Sequence, residues 1–332
     1  MFLGTSASAP TASRGASATL VRRGGDRLLV DCGEGTQRQL LRSDAGLVDL
    51  EHVFLTHLHA DHVLGLPGML KTFALRGREV PITVYGPSGT SALMRALGVV
   101  IGRLTYPFSV VELGPGAVVE RGDYRLETFA VAHGRSSVGY ALREDDRPGR
   151  FDVATADALG VPDGPSRGAL QRGEEVTLED GRVVRPDDVL GPSRRGRSIV
   201  ITGDTAPTRS VVEAAAGADV LVHEATFLTE ERDRARETDH STTEDAADVA
   251  RDAGVHLLAL THISARYAGS EVAEEAARIF PATVVPRDFD LVTIPFPERG
   301  VPELVRSGAR TRQPARTNSI LVDPMSPSVS ST

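Results

Sequence analysis

Apolar and polar positions along the first hundred residues alternate between the period of strands and that of helices. Residues 19–23 and 27–31 read as strands flanking Gly24-Gly25, a hairpin signal. Residues 35–43 read as a helix, and 52–56 as a short β-branched and aromatic strand that stops at His57. A helix is expected from about Val63, with Pro67 and Gly68 interrupting its first turns. Further strands are expected at 82–85, 124–132, 198–202, 219–222 and 256–260, and helices at 88–101, 242–253 and 270–280. Ser241 with Glu244 makes a capping-box pattern ahead of the second of these helices, and Ser270 is the expected N-cap of the third.

Two stretches break this rhythm. Residues 150–197 carry several Pro and Gly, eight arginines including Arg194, Arg195 and Arg197, and a nearly matching set of acids. Inside a compact domain such a stretch reads as a projecting arm, centred on about 155–195, and not as core. The segment after about Pro297 is rich in Arg, Pro and Ser and reads as a disordered tail over 298–332. One domain over 1–297 is therefore expected. No repeat of solenoid length is visible.

Composition narrows the class. The 332 residues, 40% hydrophobic and 25% charged, can bury a sizeable core. No segment approaches the roughly 20 apolar residues of a membrane span, and the N-terminus lacks the order of a signal peptide, so no membrane association and a cytoplasmic location are expected. Cys32 is the only cysteine, which excludes an intrachain disulfide framework and leaves His and carboxylates as metal ligands. A net charge of -8 argues against a wholesale electrostatic grip on nucleic acid, although a local basic surface or a charged metal site could still hold RNA. Lys71 is the only lysine, so almost all positive charge is arginine, whose planar fork suits phosphate.

The chemistry concentrates in His57-Leu58-His59-Ala60-Asp61-His62. In extended chain, side chains two apart face the same side, so His57, His59 and Asp61 can converge while His62 turns to a neighbouring point. A lone His is usually a core residue; four ligand types in six residues directly after an apolar strand point to metal. His133, Asp204 and His262 each follow an apolar strand as well. Strand ends gather along one edge of a layered α/β fold, where ligands bind. Together these residues supply His and carboxylate ligands for two ions, with Asp204 able to bridge. His52 and His256 stand at strand starts and read as structural.

On His57 to His62, His133, Asp204 and His262 the sequence resembles the metallo-β-lactamase superfamily. Within it, His223-Glu224-Ala225-Thr226-Phe227, His240-Ser241-Thr242, Gly65-Leu66-Pro67-Gly68 and Asp146-Arg147-Pro148-Gly149-Arg150-Phe151-Asp152 are similar to segments of the ribonuclease Z family, as is the arm around Gly164-Pro165. The likeness runs from Phe2 to about Ile294. Against the family's Pro-x-Lys-x-Arg-Asn loop, Pro10-Thr11-Ala12-Ser13-Arg14-Gly15 keeps the Pro and Arg and lacks the Lys and Asn. The chain starts almost at its first strand, so a few leading residues are expected to be missing.

The resemblance implies a four-layer αββα sandwich with a protruding exosite arm. It implies a zinc-dependent endoribonuclease that removes the 3′ trailer of precursor tRNA by hydroxide attack, leaving a 3′-hydroxyl on the tRNA and a 5′-phosphate on the trailer. One zinc would take His57, His59, His133 and Asp204, and a second Asp61, His62, His262 and the shared Asp204; manganese or iron would also suit these ligands. Asp61 would orient or deprotonate the attacking water. His240 would protonate the leaving oxygen with Glu224 tuning it, and His223 would orient a ligand. Arg14, Gly164 and Pro165 would contact substrate, and the enzyme would be a homodimer. Two rival readings remain: a phosphodiesterase or arylsulfatase-like hydrolase of small substrates on the same fold, and a non-catalytic RNA-binding protein that keeps it.

Overall fold

The computed structural model describes residues 1–307. Its strands are β1 (Phe2–Gly4), β2 (Ala18–Arg23), β3 (Asp26–Val30), β4 (His52–Phe54), β5 (Ile82–Gly86), β6 (Phe108–Glu112), β7 (Val118–Glu120), β8 (Tyr124–Ala130), β9 (Val138–Glu144), β10 (Val176–Thr177), β11 (Val183–Val184), β12 (Ser198–Ile201), β13 (Val220–Glu224), β14 (Leu257–Thr261), β15 (Thr283–Val284), β16 (Leu291–Thr293) and β17 (Glu303–Val305). One sheet has the order β1-β2-β3-β4-β5-β6 and the other β15-β14-β13-β12-β9-β8-β7. Strands β3 to β6 run parallel, as do β12 to β15, while β9 is antiparallel to both β8 and β12.

The period-2 alternation explains why the sheets stack. Leu28, Val30, Phe54, Tyr140, Val220, Val222, Leu257 and Ala259 point between the sheets and form one buried core. Their neighbours Leu29 and Val53 point outward beneath helices Thr36–Arg42, Gly65–Leu75 and Thr90–Ile101. Leu221 and Leu258 do the same beneath Arg209–Ala215, Thr243–Ala253 and Gly269–Ala277. The result is a helix–sheet–sheet–helix sandwich, the expected four layers. Phe54 stacks on Tyr85 at 4.6 Å and meets Tyr140 edge-on at 5.4 Å. The Tyr140 hydroxyl donates to the Leu55 carbonyl at 2.8 Å, and Val138 N–H donates to the Thr56 carbonyl at 2.9 Å. These bonds fasten the second sheet to the first just before His57.

Several local expectations are corrected. Pro67 and Gly68 do not interrupt the helix over Gly65–Leu75, because Pro67 lies in the first turn, where N–H groups have no intrahelical acceptor to lose. The cap of the helix Thr243–Ala253 is Thr242, whose hydroxyl accepts from Asp245 N–H while the Asp245 carboxylate accepts from Thr242 N–H. Ser241 instead donates to the Thr205 carbonyl at 2.6 Å. The cap of the last helix is Ala268, with Glu271 accepting its N–H, and Ser270 lies inside the helix. Of the tail expected over 298–332, the first residues are part of the fold: Leu291–Thr293 pairs antiparallel with Glu303–Val305. Residues 308–332, the rest of that expected tail, lie outside the described residues.

Residues 150–197 do form an arm, and it has its own small core. Helices Val153–Leu159, Pro165–Gln171 and Pro186–Val189 and the hairpin β10–β11 enclose Ala156, Val161, Leu170, Leu178, Val184 and Val189. The arm joins the sandwich between β9 and β12 through a stem in which Arg147 pairs with Arg194 and Phe151 with Leu190. Gly149 is required there, since a Cβ would lie 1.8 Å from the Gly191 carbonyl oxygen.

Candidate metal centre

Because β3, β4, β8, β12, β13 and β14 all run in the direction that ends on one edge, the residues just past or at their ends meet there. They are Asp31, His57, His133, Asp204, Glu224 and His262. Asp31 and His262 have φ of 60° and 56°. This left-handed turn is tolerated by Asp and His better than by most residues, and its persistence at a side-chain cluster is characteristic of functional sites. Gly203, at φ 65°, turns the chain out of β12 so that Asp204 follows it, and a Cβ there would lie 2.6 Å from Thr56.

The metal-type side chains form two tight groups. Ligand atoms of His57, His59 and His133 lie within 4.8 Å of one another, as do those of Asp61, His62, Asp204 and His262. Asp204 Oδ2 joins the groups, 3.7 Å from His57 Nε2, 3.4 Å from His62 Nε2 and 3.3 Å from His262 Nε2. Asp61 Oδ2 is 3.3 Å from His262 Nε2 and 3.6 Å from His62 Nε2. All are buried except Asp61, which is partly covered, and His59, which is exposed.

The far side of four imidazoles is fixed by partners that set the tautomer. His133 Nδ1–H donates to the Asp239 carbonyl at 2.9 Å. His62 Nδ1 meets Asp31 Oδ2 at 2.8 Å, and His57 Nδ1 meets Thr56 Oγ1 at 3.1 Å, whose hydroxyl donates to Asp31 at 2.9 Å. His262 Nδ1 meets Thr226 Oγ1 at 2.8 Å, whose hydroxyl donates to Glu224 Oε2 at 2.6 Å. Each ring therefore carries its proton on Nδ1 and turns an Nε2 lone pair inward, the arrangement that orients imidazole toward a cation. The buried atoms His57 Nε2, His62 Nε2 and Asp204 Oδ1 have no hydrogen-bond partner in the protein. Buried polar atoms are rarely left so, and a divalent cation would satisfy all three.

The electrostatics agree. Burial, helped by the neighbouring imidazoles, pushes His57 down to about 2, so its contact with Asp204 is not an ion pair and its lone pair is open. Burial also opposes charge on His62, but the Asp204 and Asp31 carboxylates outweigh it and raise His62, so without a cation its Nε2 holds a proton that a bound cation would displace. Burial works against the Asp204 carboxylate too, and His262 and His62 nevertheless hold it well below its ordinary value. Three carboxylates at Asp31, Asp61 and Asp204 thus concentrate negative charge where the lone pairs converge, a hard nitrogen and oxygen set suited to divalent ions.

His240 lies beside this cluster, stacked on His262 at 5.5 Å and 4.7 Å from the His133 ring. Its Nδ1 is 2.7 Å from Glu224 Oε1. Glu224 is fully buried and also accepts from Thr205 N–H and Thr226 N–H. Burial opposes a charge on His240, but the Glu224 carboxylate and their hydrogen bond win and raise it to about 9. His223 is buried on the helix side of β13; it does not orient a ligand, and its Nε2 has no partner.

The residues expected to touch substrate lie elsewhere. Arg14 donates to Thr5 Oγ1 at 2.7 Å and to the Pro286 carbonyl at 3.0 Å, and so braces the N-terminal loop. Gly164, at φ 92°, and Pro165 start an arm helix and are exposed. Arm arginines are matched by acids: Arg167 with Asp157 and Asp163, Arg172 with Glu174, Arg182 with Asp180, Arg185 with Glu175. In the stem, Arg194 meets Glu298, Arg195 meets Asp219 and Arg197 meets Glu144. Of the eight, only Arg150 has no carboxylate partner among the described residues.

Sequence reasoning missed Asp31, Thr56, Thr226 and Asp239, which hold the clustered imidazoles from behind. It also missed Ser8, whose N–H donates to Asp61 Oδ2 at 3.0 Å from a left-handed turn at φ 57°. Asp31 had a usable signal: like Asp204 it ends an apolar strand.

The sequence profile of the Metallo-beta-lactamase superfamily matches residues 13–262. A ribonuclease Z of Gemmatimonas aurantiaca is 49% identical over 292 residues, covering 86% of this chain and 93% of its own. A ribonuclease Z of Haloferax volcanii is 49% identical over 303 residues, covering 89% and 94%. The crystal structure of human tRNase Z, short form, superposes with a TM-score of 0.65 at 28% identity, covering 89% of this chain and 98% of that one.

Proposed function

The chain belongs to the metallo-beta-lactamase superfamily and within it to the ribonuclease Z family, and from that premise we propose that it is a zinc-dependent endoribonuclease removing the 3′ trailer of precursor tRNA. The observation that carries this reading is the convergence of seven side chains of metal-binding type with His240 and the buried Glu224 on one sheet edge. A degenerate RNA-binding relative would have no use for the full set.

We assign one zinc to His57, His59, His133 and Asp204 and a second to Asp61, His62, His262 and the shared Asp204. A cation pair of this kind makes water nucleophilic near neutral pH and offsets charge on phosphate oxygens. The residues of the chain do the rest. Asp61, fixed by Ser8 N–H, orients the attacking water and accepts its proton. As the water oxygen bonds to phosphorus, the bond from phosphorus to the tRNA O3′ breaks. His240, held protonated by Glu224, gives its Nε2 proton to that oxygen, general acid help typically worth about 10²- to 10⁴-fold. The products are a tRNA 3′-hydroxyl and a 5′-phosphate on the trailer.

The arm holds the tRNA body. Since its arginines are balanced by acids, its grip relies on shape and backbone groups near Gly164 and on the unpaired Arg150, not on net charge. We assign a homodimer in which one subunit's arm holds the tRNA cut by the other; exposed Val99 and Val100 offer apolar surface for such an assembly. A cytoplasmic location goes with that substrate, and among the described residues no helix is long and apolar enough to cross a membrane.

Excision of the arm tests the reading against a hydrolase of small diesters. Phe151 and Leu190 are bridge partners, so residues 152–189 can be replaced by a short turn. Precursor tRNA cleavage should collapse while a chromogenic phosphodiester is still hydrolysed. Unchanged cleavage of both substrates would leave the small-diester reading in its place.

A further inference from the structure

The stem of the arm is fixed by a segment far away in sequence. Phe296 lies beneath two guanidinium groups, Arg147 at 3.6 Å and Arg197 at 4.4 Å from its ring centre. Two residues on, Glu298 takes Arg147 in a bidentate pair, Nη1 to Oε1 and Nη2 to Oε2, both at 2.9 Å. The same Oε1 accepts from Arg194 Nη1 at 3.3 Å. Arg147 and Arg194 are the two residues that pair across the stem, with backbone bonds of 2.8 and 2.9 Å. Arg197 also donates to the Ile294 carbonyl at 3.1 Å.

One carboxylate and one ring therefore grip both strands by which the arm leaves the sandwich. The pairing is bidentate and partly covered, with side-chain exposures of 22% for Arg147 and 27% for Glu298, so it is directional in a way that scattered surface pairs are not. A planar guanidinium stacked on a ring and forked onto a carboxylate can neither rotate nor slide without losing both contacts. The clasped arginines lie after the end of β9 and before the start of β12, whereas Asp204 follows the other end of β12, and the stem arginines so engaged are not free to bind phosphate.

We infer that Phe296 and Glu298 are positioning residues for substrate specificity: they form a clasp that sets the angle at which the arm presents the tRNA body to the metal centre. The inference rests on the reading of the arm as the tRNA-holding element. A rigid stem lowers the ordering cost of binding a large rigid substrate and is irrelevant to a substrate that reaches only the metal centre. The stem strand also lies close against β9 at Gly196, where a Cβ would lie 2.2 Å from the Glu144 carbonyl oxygen.

The test uses the full-length, zinc-loaded enzyme with Phe296→Ala, Phe296→Tyr and Glu298→Ala, alongside the arm-excised protein. For Phe296→Ala and Glu298→Ala the KM for precursor tRNA should rise about fivefold or more, with kcat within twofold, as expected when a contact worth about a factor of ten is lost. Turnover of bis(p-nitrophenyl) phosphate should stay at the parent value, which also certifies the fold. Limited proteolysis should cut within 152–189 faster in both, and Phe296→Tyr should restore the parent behaviour. Unchanged KM and unchanged proteolysis in both Ala variants, with KM raised by arm excision, would overturn the clasp alone. Unchanged KM on arm excision would overturn the reading of the arm, and the inference with it.

Discussion

Replacing Glu224 by Gln removes the charge that holds the His240 proton while keeping the amide's size and some of its hydrogen bonds. His240 has its pKa at about 9 beside Glu224, and its ordinary value is 6.5. Burial still acts downward in the variant and only the weaker pull of Asp204 and Asp61 acts upward, so His240 should fall back toward its ordinary value of 6.5. That fall corresponds to roughly 3 kcal/mol of preference for the protonated ring. A general acid works in its protonated form, so the sign is fixed: activity supported by His240 is lost as pH rises through its pKa. At pH 8 the protonated fraction would fall from about 0.9 to about 0.03, about thirtyfold, whereas at pH 6 it would fall less than about twofold. Divalent cations nearby lower the His240 pKa in both proteins, which moves the alkaline limb of both and leaves the order unchanged. The assay is kcat on precursor tRNA at saturating zinc from pH 5.5 to 9.5, read as the variant-to-parent ratio at each pH. The ratio should be near one on the acid side and fall steeply above neutrality. A ratio that is low but flat across the range would refute the proton-holding role and leave Glu224 as a packing group for Thr205 and Thr226.

Other consequences follow from the same geometry. Asp61→Ala should lose nearly all turnover while precursor tRNA still binds in a filter or gel-shift assay; retained turnover would remove Asp61 from the mechanism. Asp31→Ala frees the far side of His62 and the Thr56 hydroxyl, and zinc affinity measured by competition with a chelator dye should fall about 10- to 100-fold, as for other partners of metal-bound histidine. Gly203→Ala must move Thr56 or the chain carrying Asp204, because φ is 65° and the new Cβ would meet Thr56 at 2.6 Å. It should lower both the melting temperature and the zinc content, and a variant with parental values of both would mean that the turn is not constrained as described.

What the sequence disclosed depended on range. The cluster from His57 to His62 was legible because four side chains of metal-binding type lie within six residues, and Asp204 and His262 because each follows an unmistakable apolar strand. The orienting partners were not, since their function depends on atoms that sequence does not tag. Asp239 contributes its carbonyl, which any residue would have, and Ser8 its N–H. Thr226 and Glu224 meet His262 and His240 only because β13 and β14 pair in one register, Glu224 opposite Thr261. Strand β9 escaped because Gly139 weakens its β signal; in the fold that glycine makes room for the Phe129 ring, which a Cβ would meet at 2.2 Å. The arm illustrates the same limit. Its arginines read as nearly balanced by acids, but which acid holds which arginine is not legible: the long-range partners Asp219, Glu144 and Glu298 show that the stem ones are anchors.

Cleavage of a precursor tRNA at its trailer by a divalent-metal centre is tested most directly by end mapping of the product. Purified protein is incubated with a 3′-extended precursor tRNA, with zinc, with chelator, and with chelator followed by excess zinc. Cleavage at the trailer junction should appear with zinc, vanish with chelator and return on repletion, leaving a tRNA 3′-hydroxyl that accepts ligation and a trailer bearing a 5′-phosphate. Cleavage that survives metal removal, or a 2′,3′-cyclic phosphate on the tRNA, would contradict it.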